Sequence, residues 1–296
     1  MSANHPSLSR RDAGRLLLAA GAAAALPARG LAAGPGNRVV CVSKQINEFI
    51  FDIGAQSHLV ARDLTSIYPP QITRLTSVGY HRALSAEGII SMRPSVLLTD
   101  GNVGPDPVLA QVRSVGIPIE TMAPGETLQT AQQLMLRLGR YFGREAAAKA
   151  IVARWQAEMK TALAAVAPYA KAPKPRVLMI HFGQIGNTYL GLTRGSAADQ
   201  IINWAGGVNA LDQMGGMARL TPEIIARAAP DIIIATDVGF DRYGSPAKFR
   251  DLPGVGLTPA AKALRIHRIF ETEIMYFGPR TPAALRKIAG WLHPGR

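Results

Sequence analysis

The sequence predicts an α/β protein of two lobes with mainly parallel sheets, joined by one long helix, with a ligand cleft between the lobes. Three observations predict it. Short apolar runs alternate with helical patterns from residue 37 to the C-terminal region, the grammar of parallel sheets. Residues 126–168 break the alternation with a stretch that has no strand signal. One pattern also recurs: LSAEGIISMRPSVLLTD from Leu84 and LTPEIIARAAPDIIIATD from Leu220.

In the first lobe (37–143), RVVCVS reads as a strand, NEFIFDIGA as a helix and HLVARD as a strand. SAEGIISMR is then a helix, SVLLTD a strand, DPVLAQVRSVG a helix and IPIETM a strand. Residues 144–170 form the linking element. Residues 144–167 are rich in Ala, Glu, Lys and Arg, all good helix formers, and at 1.5 Å per residue they span about 36 Å. PYAKAPKP breaks this helix. In the second lobe (173–296), RVLMIHF is a strand, and SAADQIINWAGG and TPEIIARAA are helices. DIIIATD is a strand, ALRIHRIFET contains another, and PRTPAALRKIAGWL closes the chain as a helix.

The recurring pattern places Ser85 and Thr221 as N-caps and Pro222 at a first helical position. Glu87 and Glu223 then fall in first turns, where the helix dipole favours negative charge. Capping alone accounts for both glutamates; a further role has to be compatible with it.

Residues 1–33 stand apart. Arg10 and Arg11 form a twin-arginine pair, and an Ala-rich apolar run follows from Leu16 to Leu26. The run is too short to span a bilayer, and small residues around Gly30–Ala32 offer a cleavage site. This reads as a twin-arginine export signal that is removed, leaving a periplasmic protein. No later stretch approaches 18 consecutive apolar residues, so no embedding in the membrane is expected. The only cysteine, Cys41, sits in a strand pattern and reads as buried.

The formal net charge is +13, and the presequence accounts for three of those charges. No Lys/Arg block points to nucleic acid, so the surplus reads as a basic solvated surface. The chain has no G-x-G-x-x-G after a strand, no Walker A loop, no H-E-x-x-H and no G-x-S-x-G. No catalytic constellation is visible, and an α/β architecture does not choose a function by itself.

The stretch VGYHRALSAEG places Tyr80, His81 and Arg82 side by side after a glycine. From spacing alone, Tyr80 is open between a ring packed on the lobe edge and a metal ligand. With ARDLTSIYPP before it and GSAADQIINWAGGVNAL, LPGVGLTPAAKALRI and FGPRTPAAL after it, the chain resembles the periplasmic haemin-binding proteins of bacterial haem ABC importers. The likeness covers nearly all of the chain beyond the presequence. Its most haem-specific pieces are D-x-T-S-x-Y-P, V-G-Y-x-R-x-L-S-A-E-G and F-G-P-R-T-P; the remainder fits ferric-siderophore and cobalamin binders nearly as well.

The resemblance implies a non-enzymatic, monomeric capture protein that carries ferric haem to an ABC permease with its ATPase. One haem or two stacked haems are both compatible with it. The motif tyrosine, Tyr80, is then the iron ligand. Ferric iron is a hard cation, a phenolate is a hard donor, and coordination offsets removal of a proton with a free pKa of about 10. Arg82 matches the motif arginine, poised for the phenolate or a propionate. His181, in VLMIHFGQ, matches a second axial ligand found in some members. His81, Tyr68, Tyr276 and Arg280 are further haem-contact candidates. Glu87 and Glu223 match acidic residues that dock on the permease. Two stretches depart from the family pattern: His81 replaces a larger apolar residue, and CVSKQINEF brings Lys44 and Gln45 to a wall where relatives often carry Gly-Gly-x-x-Thr-Glu.

Overall fold

The computed structural model describes Gly36, residues 38–182 and residues 189–295; the expected export segment lies outside them. The first lobe runs β1 (Val39–Cys41), α1 (Lys44–Asp52), β2 (Leu59–Arg62), β3 (Thr76–Ser77), α2 (Ala86–Ser91), β4 (Val96–Thr99), α3 (Asp106–Ser114) and β5 (Ile119–Thr121). Its strands lie in the order β3-β2-β1-β4-β5, every pairing parallel. Two helices follow, α4 (Leu128–Tyr141) and the 22-residue α5 (Glu145–Val166).

The second lobe runs β6 (Arg176–Phe182), β7 (Tyr189–Leu192), α6 (Ala197–Trp204), β8 (Val208–Asn209), β9 (Met217–Arg219), α7 (Pro222–Ala228) and β10 (Ile232–Thr236). It ends with α8 (Asp237–Tyr243), α9 (Pro246–Phe249), α10 (Pro259–Lys262), β11 (Ile266–Ile269) and α11 (Thr281–Leu292). The sheet order is β11-β10-β6-β7-β9, with β8 beside β6.

The two-lobe α/β architecture is as expected, with one difference. The second sheet is mixed: β7 runs antiparallel to both β6 and β9. Neither strand carries a strong sequence signal, since YLGL is interrupted by a glycine and MAR has three residues. Helix α8 was also invisible, because its DVGFDRY sequence contains a glycine. That glycine is there for space. A Cβ on Gly239 would sit 1.6 Å from the Phe182 ring, so no other residue lets α8 pack so close to β6.

The α5 helix works as a spine because its apolar residues follow helical spacing. Ala148, Ile151, Val152, Trp155, Met159, Ala162 and Val166 are buried, an i, i+3, i+4, i+7 pattern that aligns on one face. That face belongs to a central core drawn from both lobes, including Val39 and Cys41 of β1, Val177 and Met179 of β6, Ile232 and Ile234 of β10, and Leu285 of α11. The opposite sheet faces carry their own clusters, one around Val40 and Leu97, one around Leu178 and Ile233. The lobes therefore share a core as well as a linker.

A buried ion pair also joins them. Glu48 of α1 is 2% exposed. Arg280, just before α11, donates to it from Nε (2.8 Å) and from a terminal nitrogen (2.7 Å). The Tyr276 hydroxyl donates to the same carboxylate at 2.6 Å. The guanidinium lies 3.7 Å over the Tyr68 ring and also donates to the Thr272 carbonyl. Burial works against the Arg280 charge, but the hydrogen bonds and charge of Glu48 hold the guanidinium protonated. Tyr68 and Arg280 thus lie in an interlobe junction, and neither lines the cleft cavity described below.

Candidate functional site

The two sheets point their C-terminal strand ends at a common cleft, the usual place for ligands in open α/β sheets. A cavity of about 450 Å³ there takes walls from both lobes. Lys44, Thr65, Tyr80, His81, Arg82 and Asn102 come from the first lobe, and His181, Leu190, Met217, Glu271, Met275 and Tyr276 from the second. An adjoining space of about 630 Å³ shares Gln45, Asn102, Met217, Met275 and Tyr276, so the cleft is continuous. Both volumes lie in the range of small-molecule sites.

Tyr80 owes its place to a fastened turn. Gly79 has φ +100°, a left-handed conformation that favours glycine. The Leu64 amide donates to the Gly79 carbonyl, the Ala83 amide to that of Tyr80, and the Gly104 amide to that of His81. The Tyr80 and His81 rings then lie 4.5 Å apart, tilted by 54°. Arg82 donates from Nε to Asn102 Oδ1 at 2.9 Å.

His81 is held from both sides. Its Nδ1 lies 3.5 Å from Asp63 Oδ2 and 3.5 Å from Thr65 Oγ1, and its Nε2 3.4 Å from Asn102 Nδ2. Arg82 occupies Asn102 Oδ1, so Nδ2 is the amide atom that faces His81 and donates to it. His81 then carries its proton on Nδ1, toward Asp63. Asp63 is fully buried and also accepts from the hydroxyls of Thr65 and Ser66. Burial alone would raise its pKa, but the hydrogen bonds from His81, Ser66 and Thr65 hold it below the usual carboxylate value. The D-x-T-S motif is therefore a scaffold for the Tyr80–His81 turn.

On the opposite wall, strand alternation puts His181 on the same face of β6 as Val177 and Met179, where the central core gives way to the cleft. His181 is 7% exposed. Its Nδ1 lies 3.3 Å from Thr236 Oγ1 and 3.7 Å from Glu271 Oε2. Burial pushes its pKa below the ordinary histidine value and nearby Lys44 adds to this, while Glu271 opposes both. The neutral ring, the ligating form, is favoured. Glu271 is itself 1% exposed and accepts from Lys44 Nζ across the cleft at 3.0 Å.

Tyr276 lines the cavity with its ring while its hydroxyl turns away to Glu48. Burial and the neighbouring Glu48 charge raise its pKa well above the usual tyrosine value. It stays a neutral donor. Of the candidate residues, the structure brings Tyr80, His81, Arg82, His181 and Tyr276 to one cavity. Glu87 and Glu223 lie elsewhere, both exposed, each in the first turn of a capped helix. Ser85 Oγ accepts from the Gly88 amide and Thr221 Oγ1 from the Ile224 amide. Sequence reasoning missed Asp63, Asn102 and Glu271 as site residues. Asp63 was within reach, since an Asp that can accept from the amide two residues on is an Asx-turn pattern.

A cleft between two α/β lobes braced by a helical spine, with polar groups converging from both sides, defines a ligand-binding protein of the bilobal type. The chain belongs to the periplasmic binding protein family, whose model matches residues 39–271. Among solved structures, it is similar to the periplasmic haem-binding protein BhuT in complex with two haems: 31% identity, TM-score 0.75, covering 86% of this chain and 99% of that one. It is also similar to the apo periplasmic haem-binding protein RhuT of Roseiflexus sp. RS-1: 30% identity, TM-score 0.75, covering 86% and 97%. A vitamin B12-binding protein of Photorhabdus laumondii is 33% identical over 104 residues, 35% of this chain and 38% of that protein. The chain thus matches little more than a third of the length of that curated relative.

The Asp63 network gives a pH-dependent stability. Its folded-state pKa is depressed, so its contribution is full above the ordinary Asp value of about 3.9 and is lost as pH falls through the lower folded value. Urea unfolding at neutral pH should show Asp63→Asn about 1–3 kcal/mol less stable than the natural protein. The gap should narrow on acidification; a gap independent of pH would contradict the assignment.

Proposed function

We propose that this protein is exported by the twin-arginine route and captures ferric haem in the periplasm for delivery to an ABC permease and its ATPase. It acts as a monomer and has no catalytic role. The observation that carries the reading is the meeting of Tyr80 and His181, from opposite lobes, in one cavity. Two protein donors suit an iron whose equatorial positions are filled by the cargo's own ring. Tyr80 is the anionic ligand, which favours the ferric state. Arg82, on the same turn, offers a cation to the phenolate or to a propionate. His181, buried and neutral, is the second axial donor. Leu190, Met217, Met275 and the Tyr276 ring supply apolar walls, and thioethers adapt well to a flat aromatic ligand. His81, bound to Asp63 and Asn102, buttresses Tyr80 instead of ligating.

The vitamin B12-binding relative keeps a corrinoid reading in view, and a ferric siderophore is the other rival; a titration separates all three. Haemin added to the apo-protein should give a saturable Soret change. Tyr80→Ala should weaken binding by about tenfold or more and remove the ferric tyrosinate features, and His181→Ala should shift the spectrum toward high spin. No saturable change with haemin, alongside binding of cobalamin or a ferric siderophore, would overturn the reading.

Glu87 and Glu223 serve as the docking points, one on each lobe. Their caps fix them at exposed helix starts, where Arg side chains of a permease can reach them. In liposomes carrying the permease and its ATPase, Glu87→Arg with Glu223→Arg should lower haem-dependent ATPase stimulation about tenfold or more and leave haemin affinity unchanged. Unchanged stimulation would remove the docking role.

A further inference from the structure

Glu271 has one oxygen that the fold does not use. Its Oε1 accepts from Lys44 Nζ at 3.0 Å. Its Oε2 is buried and has no hydrogen-bond partner among the described residues. A buried, unpaired carboxylate oxygen is costly, so its position calls for a reason. It lies 3.7 Å from His181 Nδ1, an ion-pair distance slightly beyond a hydrogen bond. The carboxylate is fixed at its base, because the Glu271 amide donates to Asp237 Oδ1 at 2.8 Å.

This arrangement favours one His181 tautomer. A carboxylate paired with Lys44 only accepts, so a proton on Nδ1 faces it favourably; Thr236 Oγ1, at 3.3 Å from Nδ1, can donate or accept and fits either tautomer. His181 Nε2 then keeps its lone pair, and no protein group takes it up among the described residues. A histidine whose far nitrogen turns its proton toward a carboxylate is a more basic and better oriented metal ligand.

We propose that Glu271 is a positioning residue for His181: it fixes the Nδ1–H tautomer and presents Nε2 as a donor to the metal centre of the cargo. Lys44, from the opposite lobe, holds the carboxylate in place through its other oxygen. The side chain facing His181 is thus braced from both lobes, and the lysine that departs from the family pattern has a task. The inference rests on the haem reading for the identity of the metal centre, but the tautomer is a property of the protein without cargo.

The test has two arms. In the apo-protein, long-range proton–nitrogen NMR on ¹⁵N-labelled histidine should find His181 as Nδ1–H. Glu271→Ala should move it toward Nε2–H, and Thr236→Val should leave it unchanged. His181 as Nε2–H in the natural protein, or an unchanged tautomer in Glu271→Ala, overturns the proposal. If Glu271→Ala fails to fold, Thr236→Val decides this arm: Nδ1–H retained supports Glu271, and a move to Nε2–H overturns the proposal. In the haemin-loaded protein, Glu271→Ala should weaken imidazole coordination about tenfold or more, read as loss of the low-spin signal, with the Tyr80 features retained. A low-spin signal equal to that of the natural protein overturns the proposal. Absence of any haemin binding by the natural protein overturns the haem reading, and with it the acceptor named here, even where the NMR arm finds the Nδ1–H tautomer.

Discussion

The structure depends on one buried carboxylate. Glu48 lies on the first helix of the first lobe, and its partners Arg280 and Tyr276 come from the far end of the chain. Removing two charges from water is costly, and their attraction offsets this only when the geometry is good and the remaining polar atoms are satisfied. Here both carboxylate oxygens accept, and the guanidinium also reaches the Thr272 carbonyl and the Tyr68 ring. Such a pair adds little net stability over an apolar equivalent. It does tie one relative placement of the lobes to a specific set of bonds, and the shared core along α5 works to the same end.

The junction also sorts the tyrosines. Tyr276 spends its hydroxyl on Glu48 and is held neutral, so its ring serves as an apolar wall. Tyr68 is covered by Arg280. Tyr80 stands on a separate glycine-led turn fastened to strands and loops of its own lobe. The second junction, Lys44 with Glu271, joins the lobes inside the cleft. One ion pair thus holds the Tyr276 wall of the cleft and the other its His181 wall.

Local signals made much of this legible. The alternation of strands and helices, the α5 spine and both capped first turns are properties of neighbouring residues, and a sequence displays them directly. The Tyr80-His81-Arg82 turn stood out because three such side chains follow a glycine, and Tyr80 and His181 became haem-ligand candidates only through the family resemblance. The remainder depends on distance along the chain. Glu48 and Arg280 are 232 residues apart, Lys44 and Glu271 are 227 apart, and no local pattern pairs them. Arg280 and Tyr68 read as ligand-contact candidates because they sit in motifs, while their contact with each other, across the two lobes, has no local signal. The antiparallel β7 and β9 escaped notice because strands of three or four residues carry too little periodicity to read.

The two ion pairs and the shared core along α5 build the cleft before any ligand arrives. Double electron–electron resonance tests this most directly, with spin labels at Gln111→Cys on α3 and Lys262→Cys on α10, both exposed positions. Cys41 is fully buried and can stay in place. The predicted result is one narrow distance distribution that shifts by no more than about 1 Å when haemin is added, as in preorganised complexes. A broad distribution in the apo-protein, or a shift well beyond about 2 Å, would contradict the account and make lobe closure part of binding.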